Sequence, residues 1–170
     1  LVLCQKATQH KGGEIETVRQ LIDCLDIKDA IVTMDALHCQ KETLQRLTTA
    51  RGADFVVQVK ENQPGLLAAI RSQFQPWWEH DGEGLAQHCT QEQGHGRQEE
   101  RTVFQLTAEL PAEQKLAWPG ITSLIAVERS RGQKGKVTLD TQYYVSSLAI
   151  EPEQAAKAVR QHWHIENKQH

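Results

Sequence analysis

Two short β-branched runs constrain this chain most: residues 30–34 (AIVTM) and 54–60 (DFVVQVK). Each is too brief for a buried helix and suits a strand inside a sheet. Ahead of the first run, Ile15, Val18, Leu21, Ile22 and Leu25 recur at helical spacing, which predicts a helix over 14–27. Between the runs, 41–50 predicts a second helix, with Leu44 and Leu47 inward and Gly52 as its stop. A third helix is expected over 66–74, and residues 1–7 read as a further short strand. Strand and helix in alternation form a βαβ rhythm. This part should be α/β with neighbouring parallel strands, the 30–34 run being an inner one.

The pattern then changes. Residues 80–96 are polar and rich in Gly, Gln and His, and read as a loop. Residues 100–107, 121–129 and 137–148 are strand-like, the last two joined by SRGQKGK as a hairpin tip, so this section should be antiparallel β. After Pro152 a helix is expected over 153–169, with Ala156, Val159 and Trp163 as its apolar stripe. A length of 170 residues suits one domain with an insertion. The 39% hydrophobic and 24% charged contents are those of a soluble globular chain. No apolar run reaches the ~18 residues of a membrane span. The start, LVLCQKATQHKGG, is no signal peptide and lacks an initiator Met, so a truncated chain is expected. Cys4, Cys24, Cys39 and Cys89 include no CxxC pair; reduced thiols are expected, without a zinc cage or disulfide framework. A net charge of −3 argues against a dedicated basic nucleic-acid module but leaves room for a carboxylate site that meets DNA.

Two carboxylates stand out. Asp35 directly follows the 30–34 strand, and functional residues gather at the carboxyl ends of strands in open α/β sheets. Capping the next turn is the plainer reading. Glu166 lies three residues after Trp163 and seven after Val159, on the face of the apolar stripe. A carboxylate there is costly unless paired or metal-bound; the plainer reading is a solvated helix end or a pair with His162. Together, a strand-end and a helix carboxylate can converge and hold Mg²⁺ for in-line attack on a phosphodiester. Arg129, Arg131, Lys134 and Lys136 make the hairpin tip basic, either to grip a phosphate backbone or as a solvated turn. Trp77 and Trp78 either stack on a base or pack inside. His162 and His164, two apart, face different sides of a helix and do not suit zinc.

The ordered series IVTMDALHCQKE, ADFVVQVKENQ, GHGRQEER, WPGITSLIAVERSR, YYVSSL and VRQHWHIEN resembles the H-repeat-associated insertion-sequence transposases, over essentially the whole chain. Those belong to the DDE superfamily with an RNase H-like catalytic fold. The resemblance implies an α/β fold: a partial RNase H-like sheet with flanking helices and an antiparallel β insertion before the C-terminal helix. Residues 1–76 would form the core without its N-terminal strands, 77–150 the insertion, and 151–170 the core helix carrying Glu166. Asp35 matches the second catalytic aspartate and Glu166 the catalytic glutamate, both ligands of a two-ion Mg²⁺ (or Mn²⁺) site. The implied partner is double-stranded DNA, as element ends and target, with a homodimer admitted, no membrane, and a place in the bacterial cytoplasm at the nucleoid. Lys60 and Asn62 sit where such enzymes approach DNA, and Arg97 belongs with His95 to the HGR motif. There are departures. The first catalytic aspartate belongs upstream of Leu1, Val159 and His162 stand where relatives place a Tyr and an Arg, and the accompanying Lys would fall beyond His170. Alone, this chain is expected to be inactive and of low stability or dependent on a partner. The competing reading is a non-catalytic DNA-binding or interaction remnant of a decayed element.

Overall fold

The structure, a computed structural model, describes residues 13–94, 97–133 and 136–168, with side chains except at 94, 97, 133 and 164–168. The strand expected over 1–7 lies outside the described residues.

Helix α1 is Glu14–Cys24, with Glu14 and Glu16 in the first turn, where carboxylates complement the helix dipole. It stops short of the expected residue 27 because Leu25 turns to extended backbone. Strand β1 (Ile31–Met34) follows, then Asp35 and a 3-10 turn, Ala36–His38. Helix α2 (Lys41–Gln45) continues as a π turn, Arg46–Ala50, with Leu44 and Leu47 fully buried. Gly52 at φ +60° ends it, as expected, and lets its own N–H reach the Thr48 carbonyl at 3.2 Å. Strand β2 (Asp54–Val59) pairs in parallel with β1, which completes the βαβ unit. Helix α3 is Pro64–Trp78.

The β-rich middle is antiparallel throughout. Strands β3 (Ala86–Gly94), β4 (Arg97–Thr107), β5 (Ser123–Gln133) and β6 (Lys136–Ser146) form two long hairpins. Their sheet order is β1-β2-β6-β5-β4-β3, so β6 joins the hairpins to β2. Two expectations are corrected here. The segment read as a loop contains β3, because nine backbone pairs with β4 supply what its polar side chains do not. And β1, expected inside, is the edge of the sheet among the described residues. A short helix α4 (Ala112–Ala117) was not expected. Helix α5 is Pro152–Lys168.

Period-two alternation divides the core into two layers. Phe55, Val57, Phe104, Leu124, Ala126 and Val145 meet Leu44, Leu47, Leu67, Ile70 and Phe74 on the side of α1 to α4. Val56, Val103, Ile125, Val127 and Tyr144 point the other way, under Ala155, Ala158 and Val159 of α5. Burial of each large apolar side chain is worth about 1.5–3 kcal/mol. Trp78 stacks on Phe74 (5.4 Å) and meets Phe104 edge-on (5.2 Å), so it packs inside, whereas Trp77 is 38% exposed. No helix is long and apolar enough to cross a membrane, among the described residues.

Candidate active site on the helix α5 face of the sheet

Alternation along β1 places Asp35. Val32 and Met34 pack into the layer of α1 to α4, so Ile31, Thr33 and position 35 take the α5 face. One step beyond the Met34–Val57 pair, Asp35 comes level with Gln58, which pairs with Tyr144. Asp35 is exposed, and its Oδ1 accepts the Leu37 N–H at 3.0 Å. It therefore caps the 3-10 turn and still presents its other oxygen, for which no hydrogen bond or ion pair is found among the described residues. One open carboxylate oxygen fits a hard cation such as Mg²⁺. Among the described residues, no three His, Cys, Asp or Glu side chains are grouped to hold a metal ion. The side chain of Glu166, in the last turn of α5, lies outside the described residues.

The turn that carries Asp35 is braced from the β2–α3 loop. Asn62 donates its amide to the Ala36 carbonyl at 2.7 Å, and Gln63 donates to the Cys39 carbonyl at 2.9 Å. Asn62, singled out for DNA, is thus engaged in holding the Asp35 turn. Lys60 is exposed at the end of β2. His38 has its Nδ1 buried without a hydrogen-bond partner among the described residues; desolvation lowers its pKa, against the raising charges of Asp35 and Glu14. Beside Asp35, the buried Gln58 donates to the Gln142 Oε1 at 3.0 Å, and the Tyr144 hydroxyl donates to the same oxygen at 2.9 Å. Sequence reasoning missed this polar patch, because nothing in the sequence pairs residues 58 and 142.

The same face carries the basic residues. On β5, Arg129 and Arg131 follow Ile125 and Val127 at even spacing and so point with α5; Arg101 on β4 faces Arg129 across the ladder. Glu99 collects these charges: Arg129 binds it with both Nε (2.7 Å) and Nη2 (2.8 Å), Arg131 lies at 3.5 Å, and Arg101 also pairs with it. Burial works against the Glu99 carboxylate, but the Arg129 hydrogen bond and the Arg101 and Arg129 charges outweigh it and lower its pKa. The Trp163 ring of α5 lies 5.2 Å from the Arg101 guanidinium and 5.4 Å from that of Arg129. Arg129 is therefore largely committed to internal contacts, while Arg131 and Lys136 are exposed. Arg160 of α5 pairs with Glu92 of β3. The opposite face of the same strands carries Glu100 and Glu128 and no described Lys or Arg side chain. Lys134, His95 and the side chain of Arg97 lie outside the described residues.

A six-stranded mixed sheet with flanking helices, and an aspartate at the end of a parallel strand on the face crossed by α5, is compatible with a partial RNase H-like DDE fold. The family model described as a transposase DDE domain matches residues 1–170, and the chain belongs to that family. YhhI of Escherichia coli strain K12, named as a candidate H repeat-associated transposase, is 33% identical over 100% of this chain and 46% of its own length. YbfL of the same strain, whose name assigns no activity, has the same identity and coverage. YncI of Escherichia coli O157:H7, named as a candidate transposase, is 30% identical over 100% of this chain and 44% of its own. The chain thus spans about half the length of these relatives. No solved structure matches it.

Proposed function

We propose that this chain contributes the second aspartate and the glutamate of a DDE site for metal-dependent DNA cleavage and strand transfer in transposition. Residues 1–76 and 151–170 are read as its core and 77–150 as its β-rich insertion. One observation carries the proposal: Asp35, helix α5 and the arginines of β4 and β5 share a single sheet face. Asp35 and Glu166 would hold the divalent ions, Mg²⁺ or Mn²⁺. When bound, such ions activate the attacking oxygen and neutralise charge on the transferring phosphate. The chain's own residues hold and orient the substrate. Arg131, Lys136, Lys60, Lys134 and Arg97 meet the backbone of double-stranded DNA, at element ends and target, and Arg129 sets the array. Work on DNA places the protein at the nucleoid in the bacterial cytoplasm.

The test is Mn²⁺ binding by the 170-residue chain, measured by titration calorimetry. Binding should be present in the wild type and weakened at least tenfold in Asp35→Asn and in Glu166→Gln. Equal Mn²⁺ affinity in all three proteins would remove both carboxylates from the site and leave DNA contact alone.

A further inference from the structure

Among the described residues, strand β6 has a free edge. On one side β5 pairs with it over its whole length, but β2 pairs with it only from Tyr143 to Ser146. Residues 136–142 therefore have no strand on the β2 side, among the described residues. Residues 136–140 are all exposed, and Val137 and Leu139 are exposed at 73% and 66%. Unpaired backbone beside large apolar side chains is a template for another strand.

We propose that β6 pairs with β6 of a second copy, antiparallel, about a two-fold axis at Thr138. The segment Lys136-Val-Thr-Leu-Asp140 is self-complementary in that register. Lys136 falls opposite the partner's Asp140, Val137 opposite the partner's Leu139, and Thr138 opposite its own equivalent. Alternation keeps these classes on separate faces. Lys136 and Asp140 lie on the α5 face, with Gln142 and Tyr144, and Val137 and Leu139 lie on the other. Directly opposed residues in an antiparallel pair stand about 4.5–5.5 Å apart at Cβ, close enough for opposite charges and apolar pairs to stabilise it. Moving the axis by one residue either way sets Lys136 or Asp140 opposite Thr138 and loses the charge match. Both charges are available: no ion pair engages either within the described residues, and Asp140 accepts only a 3.2 Å bond from the Gln142 amide. The length fits as well. Pairing that ends at Asp140 leaves Thr141 and Gln142 before β2 takes over at Tyr143. Such a contact is isologous, as closed dimers require. Its axis stands normal to the sheet, so the α5 faces of both copies, each with its Asp35 and its arginines, look to the same side. This inference does not depend on the proposed chemistry.

Sedimentation velocity on the 170-residue chain across the micromolar range tests it. A monomer–dimer equilibrium is expected. Lys136→Asp and Asp140→Lys should each weaken association about tenfold, since each sets like charges opposite one another twice per dimer. The double variant should restore the wild-type constant, with circular dichroism unchanged in all. A chain that stays monomeric would overturn the proposal and make Lys136 and Asp140 guards that keep the edge unpaired. Single variants that associate like wild type, or a double variant that is not restored, would overturn it too.

Discussion

At the scale of single residues, Asp35 takes the plainer of its two readings with one oxygen, which caps its turn, and leaves the other without a partner among the described residues. The turn is braced by Asn62, itself exposed but bonded to the buried Ala36. Asn62→Ala removes one of two donors to the Ala36 carbonyl, which keeps the Cys39 N–H, and should cost about 0.5–1.5 kcal/mol in urea melts. His38 gives a pH prediction. Its folded pKa lies below the unfolded 6.5, so the unfolded chain binds the extra proton. The stability it contributes is present above about 6.5 and falls as pH drops below that value. His38→Gln should flatten this part of the pH profile; a wild-type profile unchanged by the substitution would remove the effect. Burial pushes the Cys39 thiol up to about 12, whereas Cys24 and Cys89 are exposed. Alkylation at pH 8 should label Cys24 and Cys89 quickly, and Cys39 only on unfolding. The burial of His38 and Cys39 was not legible in the sequence, because both sit in a turn whose cover comes from distant elements.

At the scale of elements, helices α1, α2 and α3 and strands β1 and β2 were readable from apolar periodicity. Strand β3 was not, since AQHCTQEQG has no apolar alternation and owes its conformation to pairing with β4. The turn before it relies on Gly82 at φ +74°, where an added Cβ would come within 2.4 Å of the Phe104 ring. Gly82→Ala should lower stability by about 1–3 kcal/mol, read as a fall in melting temperature. Glu99 adds a side-chain link between β4 and β5. Glu99→Gln keeps the shape, removes the charge shared by three arginines, and should cost about 1–3 kcal/mol. It also frees positive charge on the α5 face, so duplex DNA should bind more tightly and with a salt dependence steeper by about one unit. Unchanged DNA binding in that variant would count against the α5 face as the DNA surface.

For the whole molecule, the decisive property is the sorting of charge between two faces of one sheet. Net charge is −3, yet strand register gathers arginines on the α5 face and leaves the other face of the hairpins with Glu100 and Glu128. The sequence by itself determined the βαβ start, the antiparallel middle, the helical end and the family motifs, because these rest on local periodicity and on ordered short segments. The basic hairpin was legible as a count of charges, but not the capture of Arg129 by Glu99 and Trp163, thirty or more residues away. Tertiary structure alone decided the joining of β6 to β2, the edge of β6 before Tyr143 left free among the described residues, and the patch of Gln58, Gln142 and Tyr144 level with Asp35. The physical reason is the same in each case. Which residues oppose one another across a sheet is set by register between strands far apart in the chain, and local sequence carries no record of that register.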